Sequence, residues 1–285
     1  MPIMDIVRNI VGWIGAAEPL DKVAKPVAKT VQKVVPPGPV KDALSGTWLG
    51  HPVHPLATDV VIGAWTSALV LDLVGGERSA PAAKTLTGLG ILSAVPTAAA
   101  GLSDWSDSLG KERRIGLVHA GANITALVLY SLSYLARRNG DTASGKALGL
   151  AGATVVSVGG YLGGHLVFRL GVWVDRNAWT EGATDWQAVA DEAELDEGKP
   201  VVVHAGDQDV LLVRLGGQIH ALGDTCSHAG GPLHEGSLSD GCVTCPWHGS
   251  QFRLSDGHLQ RGPATGHQPA YDARVDGGKV SVRRR

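Results

Sequence analysis

Four apolar stretches of about twenty residues or more fill the middle of the chain, and they limit its fold more than any other feature. They run over residues 56–74, 82–102, 115–136 and 147–172. A bilayer core about 30 Å thick is crossed by about 20 helical residues rising about 1.5 Å each. All four reach that length, and the charges collect between them: Glu77 and Arg78, then Asp104 to Arg114, then Arg137, Arg138 and Asp141. A water-soluble bundle would carry a polar stripe along each helix, and a segment such as 124–135, ITALVLYSLSYL, carries none. The pattern predicts an all-α four-helix transmembrane bundle. Gly159/Gly163 and Gly160/Gly164 form small-xxx-small pairs that permit close helix approach in lipid. Pro96, inside the second stretch, is tolerated in such a bundle.

The bundle occupies residues 51–174, preceded by an arm over 1–50 and followed by a soluble domain over 175–285. In the arm, Ile3, Ile6, Val7, Ile10, Trp13 and Ile14 fall at helical spacing. That suits a helix lying in the membrane interface and equally one packed on the protein. Lys22, Lys25, Lys29, Lys33 and Lys41 follow, and Pro36-Pro37-Gly38-Pro39 breaks any helix. With four spans, the arm, the 103–114 loop and the C-terminal domain share one side. That side holds Arg8, the five lysines, Lys111, Arg113, Arg114, Arg169 and Arg176. The other holds Arg78, Lys84, Arg137, Arg138 and Lys146. The excess of positive charge places both termini in the cytoplasm of a multi-pass protein of the plasma or bacterial inner membrane. The opening residues lack the basic-then-apolar order of a cleaved signal peptide. A net charge of -2 argues against a nucleic-acid partner, which would require a basic face.

The last third reads as β structure. Short β-prone runs such as VVVH (201–204), VLLVRL (210–215) and KVSV (279–282) alternate with turn signals, among them Gly216-Gly217, Asp240-Gly241 and Asp276-Gly277-Gly278. Within it lie the only three cysteines, Cys226, Cys242 and Cys245. Clustered and odd in number, they suit a metal site in a reducing compartment better than a disulfide framework. Two of them open pairs with histidine: C-S-H at 226–228 and C-P-W-H at 245–248, on loops rich in glycine and proline. Two thiolates and two imidazoles make a donor set for a [2Fe–2S] cluster of mixed ligation, whose neutral imidazoles raise its potential above that of all-cysteine clusters. A structural zinc ion is the alternative, but zinc fingers place C-x-x-C before H-x-x-x-H.

From about Trp186 to Arg283 the sequence resembles Rieske-type ferredoxin domains. The resemblance implies an all-β domain with the cluster at its tip. It makes Cys226 and Cys245 ligands of the inner iron, and His228 and His248 ligands of the outer one. Pro232, Leu233 and Trp247 match residues that shield the cluster. Ser250 matches a serine that hydrogen-bonds the cluster in high-potential Rieske proteins, whereas Phe252 stands where those proteins have a second donor, a tyrosine. Losing one donor lowers the potential. Cys242 matches no ligand and suits a small buried position. His204, His220, His234, His258 and His267 read as surface residues. No long catalytic domain of the ring-hydroxylating oxygenase kind follows, so the expectation is electron delivery rather than oxygen activation.

Histidine is costly inside a membrane, and this half has His51, His54, His119 and His165, with Asp59 and Asp104 at the same level. H-P-V-H-P at 51–55 and S-D-W at 103–105 resemble an uncharacterised family of four-helix bacterial membrane domains, which supplies no activity. Three readings stand open: two histidines holding a b-type haem, with His119 and His165 favoured because both lie within helices; a quinone, proton or non-haem metal site; or helix capping, as at His54 before Pro55. Three functions follow. The chain passes electrons between a cytoplasmic redox partner and a membrane acceptor; or the bundle only anchors a ferredoxin domain near a membrane oxygenase or reductase; or the cluster reports redox state to the bundle. No nucleophile–base pair, phosphate loop or nicotinamide fingerprint is present, and the oligomeric state is not legible.

Overall fold

The computed structural model describes residues 2–285, which divide into two units. One holds the residues up to Val34 together with Val53–Val172; the other holds Val35–Pro52 and Trp173–Arg285. The arm of residues 1–50 is thus shared between them.

The first unit is helical. Helices α1 (Pro2–Ala16) and α2 (Asp21–Val34) precede four long ones, α4 (Val53–Val74), α5 (Ala80–Ser106), α6 (Gly110–Arg138) and α7 (Thr142–Leu170). Each of the four is long and apolar enough to cross a membrane. The short α3 (Pro39–Ser45) belongs to the other unit. Local chemistry sets the ends: Asp141 caps α7 by accepting from the Ser144 amide at 3.0 Å, and Gly171 closes it at a left-handed φ of +63°.

Between the long helices, Trp65 and Tyr130 stack with ring centroids 4.0 Å apart, packed with Val61 and Ala94. Glycines let the rings in. A Cβ at Gly90 would lie 2.2 Å from Trp65 Nε1, and one at Gly152 2.9 Å from Tyr130 Cε2. Nearer the α6–α7 turn, Arg137 and Asp72 form a two-pronged ion pair at 2.9 and 2.5 Å. Arg137 also donates to Ser133 Oγ and the Gly145 carbonyl. The apolar pattern counted Arg137 with a connection; α6 instead runs to Arg138 and buries it.

Helix α1 packs on α6 and α7 through Val11, Ile14, Ile115 and Leu162, while Ile6, Ile10 and Trp13 stay exposed. Its far end is tied down where Arg114 donates to both carboxylate oxygens of Asp21 (2.8 and 2.9 Å) and to the Gly15 carbonyl.

The second unit is an antiparallel β domain. Strands β1 (Gln187–Asp191), β2 (Val201–Ala205), β3 (Gln208–Leu215), β4 (Gln218–Gly223), β9 (Ala270–Asp276) and β10 (Lys279–Arg284) form one sheet in the order β1-β10-β9-β4-β3-β2. Strands β5 (Ser237–Ser239), β6 (Cys242–Thr244), β7 (Gln251–Arg253) and β8 (Leu259–Arg261) form a second, in sequence order. Strand β3 is apolar on both faces. Leu211 and Val213 join the core that includes Val243 and Phe252 of the small sheet, and Val210 and Leu212 join Tyr271, Val280 and Val282 on the other side. Alternation along a strand produces this, and it explains why VLLVRL is a continuous apolar run. The α3 segment docks on the chain after β8: the Gly262 amide donates to Asp42 Oδ1 (3.0 Å), and Thr47 Oγ1 to the Ala264 carbonyl (3.1 Å).

Candidate metal centre

Two loops of the β domain carry the chemistry, one after β4 and one between β6 and β7. They share a backbone plan. In the first, the Cys226 amide donates to the Gly231 carbonyl (2.9 Å) and the Gly230 amide to the Cys226 carbonyl (2.9 Å). In the second, the Cys245 amide donates to the Ser250 carbonyl (2.8 Å) and the Gly249 amide to the Cys245 carbonyl (3.2 Å). Each turn closes on a glycine four residues after its cysteine, at φ +83° and +81°, a conformation that excludes most side chains.

This plan aims amides at sulfur. The amides of His228 and Ala229 donate to Cys226 Sγ, and those of Trp247 and His248 to Cys245 Sγ. The two thiols are themselves in hydrogen-bond contact, which together with the amide donors holds Cys245 below the ordinary thiol range, at about 7, despite burial. Such donors stabilise thiolate, the form that binds metal. A Cβ on Gly231 would lie 2.8 Å from Cys245 Sγ and 3.1 Å from the Trp247 ring, so this position admits only glycine.

The imidazoles also pair. The rings of His228 and His248 lie 5.0 Å apart at 87°, edge to face. His228 is buried, and its Nδ1 has no hydrogen-bond partner among the described residues. Burial, then the charges of His248, Lys41 and Arg176, push its pKa well down, so the ring is neutral and its lone pair available. Trp173 stacks on it at 4.5 Å. A buried, unpartnered nitrogen is costly unless something fills the site. Thiols together on one side and imidazoles together on the other fit a cluster with sulfur on one iron and nitrogen on the other.

Around the loops, Leu233 is fully buried, Phe252 lies in the core, and Trp247 is half exposed beside Gly231. Pro232 pairs with Thr225 across an isolated bridge. The buried Ser250 hydroxyl accepts from the Ala264 amide (2.9 Å), which leaves its own proton free to donate. Cys242 is buried, its Sγ donating to the Asp240 carbonyl. Of the other histidines, His234 holds Asp224, a buried carboxylate, at 2.7 Å. Sequence reasoning missed Trp173, which sits outside the loops in an unpatterned stretch at a left-handed φ of +63°.

In the helical unit the ring pair that forms is His54 with His119, at 6.3 Å and 83°, where sequence reasoning favoured His119 with His165. His165 is half-buried on α7, Asp59 is exposed and Asp104 is buried. His51 is exposed in the other unit.

Residues 185–272 match the family model for the Rieske [2Fe-2S] domain, and residues 50–176 match that for a predicted membrane protein (DUF2231). The chain is 32% identical over 98 residues to the anthranilate 1,2-dioxygenase ferredoxin subunit of Burkholderia cepacia, covering 91% of it. It is 41% identical over 96 residues to human apoptosis-inducing factor 3, of which it spans only 16%. Among solved structures, the ferredoxin of carbazole 1,9a-dioxygenase from Nocardioides aromaticivorans IC177 aligns at 28% identity with a TM-score of 0.34, covering 35% of this chain and 98% of that one. The fold and the two loops define an iron–sulfur electron-transfer domain. The chain belongs to the Rieske [2Fe–2S] family, and its cofactor is the [2Fe–2S] cluster.

Proposed function

We propose that this chain is a membrane-anchored Rieske electron-transfer protein, passing single electrons between a cytoplasmic redox partner and an acceptor at the membrane. The observation that carries the reading is the pair of matched loops that put two thiols, two imidazoles and four sulfur-directed amides at one end of a β domain. Cys226 and Cys245 would hold one iron of the cluster, and His228 and His248 the other. When bound, the cluster supplies a one-electron couple. The protein's part is to hold thiolate charge with backbone amides, to keep Ser250's proton available as a further donor, and to cover the site with Leu233 and the Trp247 ring. Trp173 fixes the plane of His228 by stacking.

Anchoring rests on the four long apolar helices and on the α1 face left exposed by Ile6, Ile10 and Trp13. The lysines of the arm and three unpaired cysteines favour the cytoplasmic side of the plasma membrane. A second reading, in which the bundle is only a tether, is favoured by the ferredoxin relative: that protein is a dioxygenase ferredoxin subunit, and an oxygenase or reductase is the partner class it suggests.

The test is metal analysis with electron paramagnetic resonance on the full-length protein purified anaerobically in detergent. Two irons and two sulfides per chain, with a Rieske signal on reduction that is lost in Cys226→Ser and His248→Ala, support the assignment. One zinc per chain and no paramagnetic signal would overturn it.

A further inference from the structure

The four long helices are two copies of one hairpin, and their contacts reveal it. Three side-chain pairs join α4 to α6: His54 with His119, Trp65 with Tyr130, and Asp72 with Arg137. The members of each pair are 65 residues apart. The partner helices repeat as well. All five buried residues of α7, Gly145, Gly149, Gly152, Gly159 and Leu162, lie 62 residues beyond a buried residue of α5. The glycine that admits Trp65 is Gly90, and the one that admits Tyr130 is Gly152, again 62 apart. Residues that meet their own counterparts lie on a two-fold axis, the property of an isologous contact. Both hairpins start from the same end, so the axis runs along the helices, as in parallel membrane repeats.

The histidines obey the same rule in detail. His54 Nδ1 lies 2.9 Å from the Thr97 carbonyl, and His119 Nδ1 lies 2.8 Å from the Gly159 carbonyl, at equivalent positions of α5 and α7. Four residues after each carbonyl stands a glycine that makes room for the ring. A Cβ at Gly101 would lie 2.5 Å from His54, and one at Gly163 3.0 Å from His119. A carbonyl accepts only from N–H, so both rings carry their proton on Nδ1 and present the Nε2 lone pair. The Asn123 carboxamide nitrogen lies 3.4 and 3.2 Å from the two ring nitrogens of His119 and donates to the His119 carbonyl at 2.9 Å, one turn back on the same helix. An imidazole whose second nitrogen is fixed by a backbone carbonyl is the arrangement found at metal-bound histidine. All four long helices contribute to it.

We infer that His54 and His119 are the two axial ligands of one b-type haem on the axis between the hairpins. Two imidazoles bound end-on from opposite sides, at about 2.0 Å per bond, place their centroids about 6 Å apart; the observed separation is 6.3 Å. Among the described residues, no cysteine or carboxylate joins these two rings in a metal-sharing group. Zinc draws three or four protein ligands, whereas a porphyrin supplies four of the iron's ligands itself and leaves two for imidazoles. Haem between facing helices is a known use of a bundle core.

The experiment is a reduced-minus-oxidised spectrum with a pyridine haemochrome assay and total metal analysis on the full-length protein, expressed with added haem precursor and purified in detergent. The iron–sulfur signal of each sample is recorded separately, so failure of the cluster assignment and failure of this one are distinguishable. The expected result is one haem b per chain, falling more than tenfold in His54→Ala and in His119→Ala and retained in His165→Ala. Imidazole added to His119→Ala restores haem if a ligand, and not the fold, was lost. Absence of haem from the wild type, its retention in either variant, loss that imidazole does not reverse, or a stoichiometric non-haem metal at these residues would overturn the inference.

Discussion

Removing one member of the Asp72–Arg137 pair should unfold the helical unit far more readily than removing both. The guanidinium meets the carboxylate through two nitrogens, and the side chains retain only 3% and 6% of their exposure. Arg137→Met leaves the Asp72 carboxylate buried without its partner and strips donors from Ser133 and the Gly145 carbonyl. Breaking a buried pair in this way costs about 3–5 kcal/mol. At about 2–4 °C per kcal/mol for a unit of this size, the apparent Tm in detergent falls by about 6–20 °C. Asp72→Leu, which strands the arginine, should fall in the same range. The double variant leaves no uncompensated charge, and an apolar replacement of the whole pair is often neutral, so it should recover at least half of the loss. The assay is a double-mutant cycle on thermal unfolding in one detergent. Additive single effects, with a coupling below about 0.5 kcal/mol, would refute the claim that the two charges stabilise each other.

Two further outcomes can be checked. Gly231→Ala pushes a methyl group to 2.8 Å from Cys245 Sγ and 3.1 Å from Trp247, and iron and sulfide per chain should fall about tenfold or more; full loading would contradict the packing. The Arg114 guanidinium holds the Asp21 carboxyl well below the usual carboxylate range, so docking of the arm is at full strength above about pH 4 and weakens as pH falls further. Trp13 fluorescence should report that release in the wild type. In Asp21→Asn it should be flat over the same pH range, and a transition that persists there would assign it to another group.

The long helices were legible because lipid demands a continuous apolar run, and a run of that length has few other uses. Their ends were less so. Helix α6 begins at Gly110 and α7 at Thr142, turns before the apolar pattern does, because Arg114 and Asp141 are satisfied by specific partners that composition does not show. The metal centre was read from the spacing of C-x-H and C-x-x-H, each of which fits a tight turn, together with the resemblance to Rieske-type domains. Trp173 was invisible, since stacking on His228 has no periodicity. The repeat escaped for a chemical reason. Its counterparts are Trp with Tyr, Asp with Arg and Thr with Gly, so little identity survives between the copies. Only the contacts put them in register.

Between the two hairpins lie three residues, 107–109. A link that short turns association into an intramolecular event, with an effective concentration in the millimolar range or above. The hairpins therefore need no large contact of their own, and their seam can be given over to two imidazoles, one ring stack and one ion pair. The link also permits what free association of identical copies forbids. A symmetric pair of separate chains would set aspartate against aspartate or arginine against arginine at this seam. Joined end to end, each copy is free to take the charge the other lacks, and neither is a substitute for its twin.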